Sequence, residues 1–279
     1  MGLIVGKINQ LTVNRKTDIG YMLETGQEEV FLHFNESNHE HLEPGQSVEA
    51  FLYFDQKGRL AATLTKPLLT KDTQAFLRVT DVVPQLGVFL DMGISKELLL
   101  SIDDLPDDFT QWPQVDDMIY SSLKIKNKFV AKIPLKSEIA LKPKEALLLK
   151  SQVNAYVYRF QKEGIQLLTT DGHVIFVHQT QMERPYRLGE AVSVKVVYLS
   201  DQGYSGTLGI QKEVAMQQDA LLIMAYLEKH ERLPLTAQSS SEEIKAYFNM
   251  SRKAFKRALG TLYKAKKVDF IEHNTIIVK

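Results

Sequence analysis

Val30–Ser37 reads VFLHFNES, and Ile175–Met182 reads IFVHQTQM. Each sets a phenylalanine two residues before a histidine, inside an apolar run that ends in a polar loop. Side chains on a strand alternate between faces. Phe31 and His33 therefore share one face, while Val30 and Leu32 point the other way, into a core. Phe176 and His178 are set against Ile175 and Val177 in the same manner. Two strands that both turn an aromatic ring and an imidazole outward imply one surface used more than once, and the flanking sequence repeats with them.

Leu42–Leu52 (LEPGQSVEAFL) and Arg187–Val197 (RLGEAVSVKVV) both read as a glycine turn followed by a strand, with Gly45 and Val48 matching Gly189 and Val192. Gln114–Leu123 (QVDDMIYSSL) falls between them, with Asp116 in the glycine position, at spacings of 71 and 73 residues. Upstream, IVGKI, IGYMLET and EVFLHFNES correspond to FLRVTDV, LGVFLDMG and KELLLSIDDL, and to VNAYVYR, EGIQLLT and VIFVHQTQM. The units close on RLAATLT, FVAKIP and YSGTLGI. Each is then about five short strands separated by glycine or polar turns. So small a sheet protects both of its edges by curling, and a partly closed barrel of the OB type is the natural form. The expected boundaries are 1–65, 75–134 and 150–211. TKPLLTKDTQ and PLKSEIALKPKEA, with Pro67, Pro134 and Pro143, read as linkers.

After Gln211 the pattern changes, and 214–279 reads as a fourth domain. VAMQQDALLIMAYLEKHERL has apolar residues at helical spacing. Ser240 with Glu243 forms a capping box opening a second helix, EEIKAYF. Ser251 caps a third helix in NMSRKAFKRALGTLYKAKKV. KKVDFIEHNTIIVK alternates as two strands with a turn near His273–Asn274. Three helices followed by a hairpin is the winged-helix plan, related to helix-turn-helix. The expected fold class is thus multidomain and mainly β: three tandem OB-type barrels and an α/β winged helix.

On the third helix Phe255, Ala258, Leu259 and Leu262 fall in one apolar arc. Arg252, Lys253, Lys256, Arg257, Lys264 and Lys267 occupy about 140° of the other side at ~100° per residue. No acidic residue occurs from Ser251 to Val268. Solvated helix faces normally mix signs, because like charges four apart repel; six cations without an anion suit a phosphate surface. The chain is neutral overall, with 34 basic and 34 acidic residues. Residues 1–149 nevertheless carry a net −5 and residues 150–279 a net +5. Cations that displace counterions supply most polyanion affinity, which points to the third barrel and the winged helix.

The 279 residues are 44% hydrophobic and 24% charged, enough apolar material for packed cores. With no cysteine, disulfides and thiolate zinc sites are excluded. The N-terminus MGLIVGKINQ lacks a basic region and a long apolar core, so no signal peptide is expected. Gly6 stands where the myristoylation pattern needs Ser or Thr. No apolar run of about 18 residues occurs, so no membrane partner is expected, and the expected location is the cytoplasm. Walker, nucleophile-elbow, HExxH and dinucleotide motifs are missing, and neither enzyme activity nor a cofactor is expected. His33, His39 and His41 with Glu40 form a histidine cluster in a loop, and Asp103, Asp104, Asp107 and Asp108 crowd around Pro106. Solvated loop residues account for both better than a metal site or a nuclease.

With these residues in hand, the three units resemble S1 domains, whose pattern is glycine, aromatic, FLH or FVH, a polar loop, then glycine–x–x–Val. Three such units before a winged helix carrying SRKAFKRALGTLYK resemble the conserved virulence factor B family of Gram-positive bacteria. The resemblance covers the whole chain. It implies RNA binding and an influence on the expression of other genes, often exported virulence products; it does not imply catalysis. By position it implies a nucleic-acid face of Tyr21, Phe31, His33 and Arg59 in unit one, Phe89 and Lys132 in unit two, and Phe176, His178 and Tyr204 in unit three. Ser101 replaces the histidine in unit two, and Ile165 or Gln166 the tyrosine in unit three. Outward rings can stack on unpaired bases, so single-stranded RNA is the expected partner. Duplex DNA gripped by the winged helix, or a docked protein, are the alternatives. The oligomeric state is left open.

Overall fold

The computed structural model describes residues 2–26, 28–55, 57–125, 128–208, 212–272 and 274–278, the side chains of 212–218 excepted. Barrel one comprises β1 (Ile8–Lys16), β2 (Gly20–Thr25), β3 (Glu28–His33), β4 (Ser47–Phe54) and β5 (Leu60–Thr63). Barrel two comprises β6 (Gln74–Val83), β7 (Gly87–Asp91), β8 (Glu97–Ser101), β9 (Met118–Ile125) and β10 (Phe129–Lys132). Barrel three comprises β11 (Gln152–Gln161), β12 (Gly164–Leu168), β13 (Val174–His178), β14 (Ala191–Ser200) and β15 (Gly203–Thr207). All three are closed, each with one parallel contact: β3 with β5, β8 with β10 and β13 with β15. Closure leaves no edge strand unpaired, which lets such short strands persist.

One turn recurs in all three barrels. Gly45 at φ +86°, Asp116 at φ +75° and Gly189 at φ +79° occupy left-handed backbone. Their amides donate to the carbonyls of Val13, Val79 and Val157. The amides of those valines in turn donate to Gln46, Asp117 and Glu190. The first strand of each barrel bulges just beyond that valine. A bulge sharpens the coil of a strand, so the turn and the bulge together close each barrel. Asp116 fills the glycine position as expected; an aspartate tolerates that conformation better than most side chains.

The cores follow the alternation. Val30 and Leu32, like Ile175 and Val177, are fully buried in their barrels. The expected linkers, however, are not free. Leu69 and Ile139 are buried, the amide of Leu68 donates to Met92, and that of Lys71 donates to Gly6. Their leucines and isoleucines bury more favourably against a barrel than in water, so proline-containing stretches became mortar. Phe129 of β10 packs edge-on to Phe51 and Phe54 of barrel one. Between barrels two and three, Phe76 stacks at a tilt with both Tyr120 and Tyr156. The Tyr158 hydroxyl donates to the carbonyl of Pro134. The three barrels form one compact unit, Met1–Leu208.

The second unit holds α1 (Lys212–His230), β16 (Arg232–Leu233), α2 (Ser241–Phe248), α3 (Arg252–Lys264), β17 (Val268–Ile271) and β18 (Asn274–Ile277), with sheet order β16-β18-β17. The capping box forms as read: the Ser240 hydroxyl accepts from the amide of Glu243, whose carboxylate accepts from that of Ser240. Ser251 caps α3 by accepting from Ala254. The first helix stops earlier than its periodicity suggests. Glu231 turns left-handed at φ +58°, and Arg232–Leu233 leaves to pair with β18. Of the expected hairpin turn, His273 lies outside the described residues, and Asn274 opens β18. Phe255, Ala258, Leu259 and Leu262 are all buried, against Ile223, Leu227 and Ile244. Among the described residues no helix is long and apolar enough to cross a membrane, which says nothing of β-barrels.

Candidate nucleic-acid interface

The outward pair is built on a close approach of two strands. Gly20, Gly87 and Gly164 face His33, Ser101 and His178 across the ladder. A Cβ at these glycines would lie 2.2, 2.1 and 2.1 Å from the carbonyl oxygens of Leu32, Leu100 and Val177. At Gly20 it would also lie 2.7 Å from the Phe31 ring. Glycine therefore permits the close strand approach in all three barrels, and at Gly20 it also makes room for the half-buried Phe31 ring. His33 stands edge-on to Phe31 at 6.2 Å, and His178 to Phe176 at 6.5 Å.

Each histidine also does a second job. His33 Nδ1 accepts from the amide of Asn35 at 3.1 Å, and His178 Nδ1 from that of Thr180 at 3.2 Å, capping the short turn that follows. In barrel two the Ser101 hydroxyl takes the same role toward Asp103. A neutral imidazole that accepts at Nδ1 carries its proton on Nε2, so the free edge is a donor. Ser101 is thus no defect in the repeat; it keeps the cap and gives up the donor ring. His33→Ser should accordingly leave stability within about 1 kcal/mol of the parent, the usual worth of a cap, while weakening RNA binding. Thermal unfolding and fluorescence anisotropy on the same sample separate the two roles; a large loss of stability would show that the ring itself holds the barrel.

Several residues expected on this face are elsewhere. Tyr21 is buried in the barrel-one core, its ring edge-on to Phe34 and its hydroxyl accepting from the amide of Leu42. It pairs with inward Leu32, so the outward neighbour of Phe31 is Met22, one residue on. A single step along a strand exchanges core and surface, and that step removes Tyr21 from the face. In barrel two Phe89 is outward, but it neighbours Leu99, which holds the place of Phe31 and Phe176. Its aromatic ring has moved one strand over. Lys132 is engaged by Asp104, and Arg59 by Asp55 at 2.7 Å. Both cations are neutralised where they stand, although Arg59 remains largely exposed. Tyr204 is half-buried and accepts from the amide of Leu147 at 3.0 Å, so it supports the face of barrel three more than it offers a free ring. The acids near Pro106 are local too: Asp108 accepts from the amide and hydroxyl of Thr110.

Barrel three also adds Ser205, Lys136, Gln202 and Glu163, none of them expected from the sequence, around Phe176 and Gln166. The register sets Gln166, Phe176 and Ser205 side by side on β12, β13 and β15. Together with Lys136, Gln202 and Glu163 they line an open groove. Lys136 comes from the stretch expected to be a linker, and its Nζ donates to the carbonyl of Gln202 at 3.1 Å.

In the second unit Arg252, Lys253, Lys256, Arg257, Lys264 and Lys267 are all exposed. Among the described residues none of the six is in an ion pair; Arg252 donates to the carbonyl of Gln238. The same helix buries its apolar arc, so its five cations have no route but outward; Lys267, expected on the helix, lies past its end in the turn before β17.

Outward rings on closed five-stranded barrels, joined to a winged helix with a cationic third helix, define a nucleic-acid-binding protein of the S1 and winged-helix class. The S1 domain model matches residues 5–65, the CvfB first S1-like domain 74–130, the second domain of virulence regulatory factor CvfB 137–207, and the CvfB-like winged helix domain 222–276. The chain belongs to the conserved virulence factor B family. It is 34% identical to conserved virulence factor B of Staphylococcus aureus strain USA300, over 95% of this chain and 91% of that one. It is 36% identical to the uncharacterized protein YitL of Bacillus subtilis, over 92% and 88%. A crystal structure of a multidomain protein with nucleic acid binding domains from Streptococcus pneumoniae is similar at a TM-score of 0.62 and 25% identity, over 98% of both chains.

Proposed function

We propose that the chain binds single-stranded RNA with little sequence selectivity and so regulates gene expression in the cytoplasm, including that of virulence factors. The observation that carries this reading is the outward Phe–x–His pair, present on the equivalent strand of barrels one and three and facing an equivalent glycine across the ladder. A flat exposed ring accepts any base, at roughly 1–3 kcal/mol per stack. A duplex keeps its bases stacked inside and has none to offer. The cations of α3 supply the phosphate contacts that give affinity its salt dependence. The name of the Staphylococcus aureus relative supports the connection to virulence.

Fluorescence anisotropy with unstructured RNA and with duplex DNA of equal length, over a series of salt concentrations, tests the reading. RNA should bind more tightly at matched salt, with affinity falling as salt rises. Tighter binding of duplex DNA would replace the reading with a DNA reader working through α3. Failure of both to bind near physiological salt would turn attention to a protein partner.

A further inference from the structure

We propose that barrel three adds selectivity to this sequence-tolerant binding, reading one adenine of single-stranded RNA through Gln166. The inference rests on the RNA-binding reading above and sharpens it at one site. Gln166 is 9% exposed and lines a solvent-open groove, and among the described residues its side-chain amide makes no hydrogen bond. It lines the groove that also holds Phe176, Ser205, Lys136 and Glu163. An amide held at the wall of an open groove without protein partners is free to meet the polar edge of a ligand, and the neighbouring ring suggests which ligand. A base stacked on Phe176 would turn its edge toward Gln166, the adjacent residue across the ladder.

The equivalent positions show what is special here. Barrel one has Met22 beside Phe31, and barrel two has Phe89 beside Leu99. Those side chains offer surface without hydrogen bonds, and they cannot tell one base from another. Gln166 offers a donor and an acceptor side by side, the pair that matches the amino group and ring nitrogen of adenine. Glu163 at the rim can only accept, so it favours a base with an exocyclic amine over the carbonyl edge of uracil. Lys136, held by the carbonyl of Gln202 and in no ion pair among the described residues, stands where a phosphate of the same nucleotide can reach it.

The test compares the full chain on oligo(U) with the same oligomer carrying a single central adenine, by anisotropy at matched salt. The adenine should tighten binding by roughly fivefold or more, the discrimination of one good bidentate contact. Gln166→Met, which installs the residue barrel one already carries, should abolish that gain, so that the two oligomers bind alike. Phe176→Ala should weaken both oligomers. Equal binding of the two oligomers by the parent chain would overturn the inference and leave RNA binding standing, as would an adenine preference that survives Gln166→Met. Failure to bind either oligomer would overturn the inference together with the reading it rests on.

Discussion

Reversing Lys253 and Arg257 to glutamate together should lower affinity for single-stranded RNA by roughly ten- to a hundredfold at low salt. Both residues are exposed and, among the described residues, without an ion pair. Each cation that meets a phosphate contributes about −0.7 to the slope of log affinity against log salt for a single strand. Losing two should flatten that slope by about 1.4. The helix itself should not suffer. Lys253 lies in its first turn, where a carboxylate is favoured by the helix dipole, and the buried arc from Phe255 to Leu262 is untouched. Anisotropy across a salt series reads both quantities. An unchanged affinity with an unchanged slope would remove the winged helix from the RNA site.

Asp117→Ala should destabilise the three-barrel unit by about 3 kcal/mol, the lower end for breaking a buried ion pair. Asp117 is buried in barrel two and accepts from Arg187 of barrel three through Nε at 2.8 Å and Nη2 at 3.1 Å. It also accepts from the amide of Gln114 at 2.7 Å. Among the described residues the Arg187 guanidinium would retain only Glu190 at 3.5 Å, and Glu190 is already engaged by Arg184. The damage falls on a junction, so urea unfolding should show an earlier transition. A shift smaller than about 0.5 kcal/mol, the scale of an ordinary surface substitution, would show that apolar packing alone holds the barrels together. The same junction responds to acid. Burial raises the pKa of Glu190, but the hydrogen bonds from Arg184 and the Arg187 amide, with the two guanidinium charges, outweigh it and hold the carboxyl below its ordinary value. Its contribution is complete above the unfolded carboxylate pKa and is lost as pH falls through the lower folded one.

The parts of this architecture written in periodicity were readable. Strand alternation separated Phe31 and His33 from Val30 and Leu32, and the helical wheel separated the four buried residues of α3 from five of its cations, whereas Lys267 falls beyond the helix, which ends at Lys264. Spacing located Asp116 in a glycine turn before any backbone angle was known. Relations between strands were not readable. Tyr21 sits beside the right glycine but on the wrong face, because only the ladder shows that Leu32 is its partner. The pairing of Lys132 with Asp104 joins residues 28 apart in the chain. Gln166 stood out only as a missing tyrosine, and its closeness to Phe176 and Ser205 exists only once three strands are laid together. Prolines in the linkers suggested slack, whereas the buried Leu69 and Ile139 beside them record the packing.

Because the barrels share apolar walls with no free tether between them, the rings of barrels one and three are held at a set separation. Two modules on a loose string would gain avidity smoothly as a ligand lengthened, with effective concentration following chain statistics. A stiff ruler behaves otherwise. On the proposed RNA-binding reading, oligomers too short to span it should occupy one barrel at a time, and the first length that spans it should gain the second foothold in a single step.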